Sequence, residues 1–300
     1  STKNLFALIG EQCSILASNN SSIGYIIPLS GLSIDSFEPL QKIIYANTIS
    51  WNSYYSGDRN PSELFTGVKI RAGIYVARYG YIGKYTSKYI KYYSSERSFL
   101  FSKVNYIDCP GFISAPKFAD EKCKSIYDKI NSLNHSLSSE FINETSFYYH
   151  AAPIYWCKAL IDLEPLVKEK LNIADSYKRK CISKNYVDFA FILLNSTLFF
   201  IFWITFSDCY NLTQKYFSIL KVPKVNNYKI FSQLSKSLNT DLYSKMDIAE
   251  YYYKNRGNVR FAQFFPKKSK PIIDEIDKVL AKHYGFTEEE LADFIADRGL

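Results

Sequence analysis

The sequence predicts an α/β layer over residues 1–83, an α+β domain over 84–265 and a helical tail over 266–300. Three observations carry that division. Before residue 83, helical and extended patterns alternate, which is the sequence grammar of an α/β layer. After Gly83 the chain becomes Tyr- and Lys-rich, with short extended runs broken at Pro110-Gly111 and Pro116. Clean helical periodicity returns only after Pro271. A chain of 300 residues also suits about two domains.

Leu5, Leu8, Ile9, Cys13 and Leu16 follow helical spacing and predict an amphipathic helix over 4–17. Asn19-Asn20-Ser21-Ser22 is a turn, and IGYIIPL (23–29) reads as a buried strand. Phe37, Leu40, Ile43 and Ile44 predict a helix over 36–46, followed by a strand over 48–55. The best-patterned stretch is 58–80, DRNPSELFTGVKIRAGIYVARYG. Gly57, Asn60-Pro61 and Gly67 punctuate its loop half. Its second half alternates, with Val68, Ile70, Ala72, Ile74 and Val76 on one side and Lys69, Arg71 and Tyr75 among those on the other. Period two marks a strand with one buried face, here expected to be the aliphatic one. The order helix, strand, helix, strand, loop, strand reads as a layer missing its beginning.

Further on, 117–133 has a charged helical pattern and 140–156 returns to β-type and aromatic residues. Tyr155 and Trp156 suit a core position better than a stacking one. Tyr177-Lys178-Arg179-Lys180, with Lys184 close behind, is the densest basic cluster. The most apolar run, 189–206, reaches the length at which a membrane span must be weighed. Asn195-Ser196-Thr197 at its centre and the bracketing Asp188 and Asp208 favour a buried core helix, and no membrane partner is expected. Residues 233–246 predict a weakly amphipathic helix, and 251–265 is tyrosine-rich with Arg256-Gly257-Asn258 as a turn. Pro271 sits at the first turn of a helix bearing Ile272, Ile276, Val279 and Leu280 on one face. Thr287-x-x-Glu290 is a capping-box pattern that opens the last helix.

Composition narrows the chemistry. Aromatic residues make up 17% of the chain, which suits stacking surfaces, although an AT-rich genome biases tyrosine, lysine, asparagine and isoleucine in the same direction. The formal charge of +8 favours a polyanionic partner, nucleic acid before membrane. Six scattered cysteines without a CxxC pair and three scattered histidines give no zinc spacing, and read as free thiols of a cytoplasmic protein. No G-x-G dinucleotide fingerprint, P-loop or G-x-S-x-G elbow occurs. The acidic clusters at Asp274, Glu275 and Asp277 and at 288–290 read as solvated helix positions. By itself the chain shows no self-sufficient active site.

Several segments resemble the adenine-specific DNA methyltransferases of the Type IIG restriction–modification kind. NLFALIGEQC followed by SSIGYIIPLSG resembles the helix and strand just after that family's catalytic Asn-Pro-Pro-Tyr motif. PSELFTGVKIRAGIYVAR resembles the loop and strand whose aromatic packs on the target base. IYWCKAL and LLNSTLFFIFWITFSDCYNLT resemble the downstream recognition region, and KKSKPIIDEIDKVLAKHYGFTEEEL resembles the C-terminal tail.

The resemblance implies a partial methyltransferase sheet, then a target-recognition domain and tail. It further implies double-stranded DNA as partner and S-adenosylmethionine as methyl donor of the complete enzyme. Phe65, by its place in ELFTGV, takes the base-stacking role, because an adenine amine inside a duplex is reached only by flipping the base out. The alternative for Phe65 is a loop aromatic that plugs the edge of its own sheet. Lys69, Lys178, Arg179, Lys180 and Lys184 become candidates for phosphate contact, and Ser207 and Asn211 for DNA contact. For the cations a solvated surface is the alternative, and for Ser207, Asp208 and Asn211 it is capping or buried hydrogen bonding.

Two departures from the family stand out. The cofactor-binding glycine motif and the Asn-Pro-Pro-Tyr tetrapeptide are both absent, and Asn60-Pro61-Ser62-Glu63 does not replace the latter. The chain alone is therefore expected to bind no cofactor and to need the N-terminal half or a companion subunit for methyl transfer. A truncated remnant, or a protein-binding subunit without DNA affinity, is the alternative.

Overall fold

Leu5–Leu16 (α1) forms where a helix is predicted, but Leu5, Leu8, Ile9 and Leu16 of its expected apolar face are exposed, and Ala7 and Gly10 are buried instead. Ser22–Pro28 (β1), read as a buried strand, follows after a turn in which Asn20 takes a left-handed conformation, and its Ile26 is exposed. The computed structural model describes residues 4–58, 63–153, 155–225 and 228–296, with the side chains of 293–296 excepted. Asn60, Pro61 and Ser62, to which a turn was assigned, lie outside the described residues. The chain is mixed α/β and divides into two compact units, one of residues up to 125 with 204–209, the other of most of the remainder.

In the first unit, Ser30–Ser33 (α2) and Glu38–Ile44 (α3) connect β1 to Thr48–Tyr55 (β2), and Ala72–Tyr79 (β3), Gly83–Ile90 (β4) and Ile107–Asp108 (β5) complete a five-stranded sheet. Its order is β1-β3-β2-β4-β5. β3 pairs antiparallel with both β1 and β2, so those two run parallel, and β4 is parallel to β2. The sheet thus continues past Gly83, where the composition changes. Leu29, Leu32, Leu40, Ile44, Tyr54 and Tyr75 form the core between the helices and one sheet face. Each such side chain contributes about 1.5–3 kcal/mol by leaving water.

The buried face of β3 is the opposite of the one its aliphatic alternation predicts. Tyr75, Ala77 and Tyr79 are buried, whereas Val68, Ile70 and Val76 are exposed. Of the aliphatic side only Ala72 is buried, and Ile74 is half-buried against Tyr55, Ile90, Tyr92 and Leu100. Two contacts set this register. At Gly73 an added Cβ would come within 2.7 Å of Leu32 Cδ1, so the helical layer approaches too closely for a larger residue. The Tyr75 hydroxyl meanwhile donates to the Ile44 carbonyl at 2.5 Å, and its ring stacks on Tyr25 at 5.8 Å. Period two was read correctly, but a tyrosine that reaches a carbonyl outcompetes valine for the interior.

Glu121–Asn131 (α4) carries the chain into the second unit. There Thr145–His150 (β6), Ala159–Leu160 (β7) and Tyr177–Ile182 (β8) make an antiparallel sheet in the order β7-β6-β8, with Glu164–Lys168 (α5) between the last two in sequence. The apolar run forms two helices, Val187–Leu194 (α6) and Thr197–Phe206 (α7), bent by 66° at Asn195-Ser196. The single core helix expected there is therefore broken, for a local reason. The buried Asn195 amide exchanges hydrogen bonds with the backbone of Ala159 at 3.1 and 3.2 Å and donates to the Phe191 carbonyl at 2.9 Å. Trp156 donates its indole N–H to the Asn195 carbonyl and stacks on Phe200, which gives it a core position, whereas Tyr155, expected there with it, is exposed. Among the described residues no single helix is long and apolar enough to cross a membrane.

Gln214–Ile219 (α8), Tyr228–Ser244 (α9), the hairpin Asp247–Tyr253 (β9) and Gly257–Gln263 (β10), and the helices Lys270–Tyr284 (α10) and Glu288–Ala296 (α11) follow. Phe189 of α6 packs edge-on against Phe231 of α9 at 5.1 Å. Asp277 and Glu290, assigned to solvated positions, are buried. Asp277 Oδ1 accepts the Thr197 N–H at 2.9 Å and so caps α7. Glu290 accepts the Thr287 N–H and the Lys129 ammonium, each at 2.7 Å, while its own N–H reaches Thr287 Oγ1, completing the predicted capping box.

Candidate functional site

Residues 56–71 leave the carboxyl end of β2, which is also the carboxyl end of the parallel β1. In open α/β sheets ligands bind outside the carboxyl ends of the strands. The base of this loop is stapled across its two limbs. Arg71 Nη2 meets Asp58 Oδ1 at 2.8 Å, Asp58 N–H donates to Ser56 Oγ at 3.2 Å, and Arg71 Nη1 donates to the Cys209 carbonyl. The limbs cross so tightly that a Cβ on Gly57 would lie 2.3 Å from the Ile70 carbonyl group. Only glycine fits there.

The tip is built as firmly. Val68 N–H donates to the Phe65 carbonyl at 3.0 Å, and Gly67 has φ +80°, the left-handed third position of a type II turn. Glu63 Oε2 accepts the Gly67 N–H at 2.7 Å, and Arg97 Nη2 donates to the Glu63 carbonyl at 2.6 Å. Arg97 belongs to the 3₁₀ stretch Ser94–Lys103. Leu64 turns inward against the cluster of Tyr55, Ile90, Tyr92 and Leu100. Phe65, the next residue, is 45% exposed. The apolar plug of this loop is thus Leu64, and Phe65 is presented to solvent on a braced turn. Lys69, between Phe65 and Arg71, is exposed.

Behind the loop lies a buried group of cations. Lys117 is 2% exposed, donates to the Ser207 carbonyl at 2.7 Å and sits 5.3 Å from the Tyr54 ring centroid. Burial pushes its pKa down to about 8. Burial also lowers the pKa of Lys91, against the opposing influence of Asp58. Ser207 is fully buried, and its hydroxyl accepts the Cys209 N–H at 2.9 Å. Its role there is buried hydrogen bonding, and it presents no surface to a ligand.

The remaining candidates lie in the second unit. Strand alternation splits the basic cluster of β8. Lys178 and Lys180 share the sheet face of Tyr149 and Phe147, while Arg179 lies opposite Tyr148 on the other face. Lys180 Nζ sits 4.4 Å from the Phe141 ring centroid and donates to Gln214 at 3.1 Å, and Arg179 Nε donates to Ser146 at 3.1 Å. Lys178 and Lys184 are exposed. Asn211 is exposed, and its carbonyl accepts the Trp203 indole N–H at 3.2 Å. The structure therefore gathers Phe65 and Lys69 on one loop, and does not gather the β8 cations on one face.

Sequence reasoning missed the braces, namely Gly57, Asp58, Arg71 and Arg97. The signal for one of them was present, since an acid and an arginine flank the loop at its two ends. Among the described residues no group of His, Cys, Asp or Glu could hold a metal. After β1 the chain is closely packed. The space that a side chain at Gly31 would need is filled by Phe6 at 2.9 Å and Ile27 at 3.0 Å, and Ser33 Oγ is spent on the Leu29 carbonyl. Comparison with protein-family models found no match, and comparison with curated proteins found none.

Proposed function

We propose that the chain is the DNA-binding and target-recognition portion of a site-specific adenine DNA methyltransferase of a restriction–modification system. The observation that carries the proposal is the braced turn exposing Phe65 at the carboxyl end of two parallel strands. An aromatic held in that way is pre-organised to stack on a base swung out of a duplex, at no further cost in ordering its own loop. The sheet supports the same proposal. Its parallel strands β1 and β2 are joined through helices with antiparallel β3 inserted between them, a mixture common in large α/β sheets.

The chain's own residues would supply base holding and phosphate contact. Activation of the adenine amine and binding of S-adenosylmethionine fall to a complementary N-terminal half, because neither sequence motif is here. The test is methylation by that half combined with this chain. Phe65→Ala should lower the methylation rate about tenfold or more, matching the ~1–3 kcal/mol of base–aromatic stacking. An unchanged rate in that assembly would remove Phe65 from the base pocket.

A second function is favoured by a different observation. α1 leaves Leu5, Leu8, Ile9, Ile15 and Leu16 exposed, and the outer edge of β1 is unpaired among the described residues. An open strand edge beside apolar helix residues is a protein-docking feature. A truncated remnant or protein-binding subunit would show that docking without DNA affinity.

A further inference from the structure

The hairpin of β9 and β10 projects a basic and aromatic ribbon that the proposed function has not used. Its root is fixed. Lys268 Nζ pairs with Asp247 Oδ1 at 2.9 Å, Lys245 Nζ donates to the Lys268 carbonyl at 2.9 Å, and buried Phe264 meets Tyr243 edge-on at 5.5 Å. Its far end carries the exposed cations. Lys254, Arg256, Asn258 and Arg260 are exposed, and Tyr252 is 74% exposed. Arg260 lies directly opposite Glu250, and no ion pair joins the two among the described residues.

Beside β10 lies an open basin of about 430 Å³, with Lys170, Asn172, Arg256, Asn258 and Arg260 among its walls. Lys170 reaches it through a left-handed backbone conformation, φ +53°. Asn172 N–H donates to the Arg260 carbonyl at 2.8 Å, which pins the 170–172 segment along the outer edge of β10. Since that carbonyl points outward, strand alternation turns the N–H and C=O of Asn258 to the same side. The basin therefore combines three guanidinium or ammonium groups, two amide side chains and a backbone donor, and its walls hold no carboxylate.

We infer that this ribbon and basin form a phosphate-binding and groove-docking element for duplex DNA. The inference rests on the DNA-binding function proposed above and assigns it a surface. Charge decides the occupant: Lys170, Arg256 and Arg260 at the basin outnumber the one carboxylate nearby, Glu250 opposite Arg260, and favour a polyanion with regularly placed phosphates. Shape agrees, because a seven-residue two-stranded ribbon is about 23 Å long and roughly 10 Å across, and the major groove admits such a ribbon. Tyr252 stands opposite Asn258 on the ribbon face that carries Arg260, placed for sugar or base contact once the phosphates are held.

The test is equilibrium binding of the full chain to a fluorescein-labelled duplex of mixed sequence over a salt series. R256Q/R260Q is compared with wild type and with K229Q/K236Q, which removes equal charge from exposed positions of α9. All four side chains are exposed, and circular dichroism melts check that the variants remain folded. The inference expects R256Q/R260Q to reduce the slope of log K against log salt by about 1.8, from ~0.9 per phosphate contact, and to weaken binding at low salt. K229Q/K236Q should keep the wild-type slope. If wild type binds and both variants weaken it equally, or the ribbon variant keeps the wild-type slope, the ribbon assignment falls and the proposed function stands. If wild type does not bind at all, both fall.

Discussion

Lys117 sits in the interior of the first unit with its ammonium on one carbonyl and one aromatic ring, and that placement has a measurable pH signature. Its folded pKa, about 8, is depressed from an ordinary value of 10.5. Between those values the unfolded chain holds a proton that the folded chain has released, so stability rises with pH by up to about 1.4 kcal/mol per unit. Below pH 8 both states are protonated and the burial penalty is present in full. Lys117→Met, which removes that penalty, should be more stable than wild type at pH 7, with the difference shrinking from pH 8 to 9.5. Urea unfolding midpoints across that range check this, and a pH-independent difference would show that Lys117 is not buried in charged form. Arg71 and Asp58 give the opposite case. Their side chains are 4% and 16% exposed, so Arg71→Met strands a carboxylate at the loop base. A loss of about 3–5 kcal/mol is expected in the same unfolding assay.

At the scale of elements, what the sequence could say depended on which force decided each one. α10 and the capping box of α11 were legible because local spacing and local hydrogen bonds determine them, whereas for α1 the helix was legible and its buried face was not. The face of β3 was not, because it is decided by the approach of α2 at Gly73 and by the Tyr75 hydroxyl finding the Ile44 carbonyl. The break between α6 and α7 was half legible. Asn195-Ser196-Thr197 stood out in an apolar run, but their partners Ala159 and Asp277 are remote in sequence. That break makes its own prediction. Asp277→Ala removes the cap of α7 and should cost about 1–2 kcal/mol, read as a lowered midpoint in urea unfolding. In the candidate site, Phe65 was placed by its motif. Its brace was not, and Gly57→Ala should test the brace by forcing the limbs of the loop apart. Lowered stability is expected, together with faster proteolysis of 59–70 than in wild type.

For the whole molecule, the proposal of a duplex DNA partner rests on the exposed aromatic of the loop after β2 and on the cationic surfaces of the second unit. The proposed function divides the labour, with recognition here and methyl transfer in a complementary half. Net charge of +8 is too modest to establish DNA binding by itself, and the β8 cations turned out to be divided between two faces. The central claim is tested most directly by wild-type binding to a labelled duplex across 50–200 mM salt. Measurable affinity at low salt, falling linearly in log K against log salt with a slope of several units, is the predicted result. No detectable binding at low salt, alone or with the complementary half, would contradict it and leave the protein-docking surface of α1 and β1 as the chain's function.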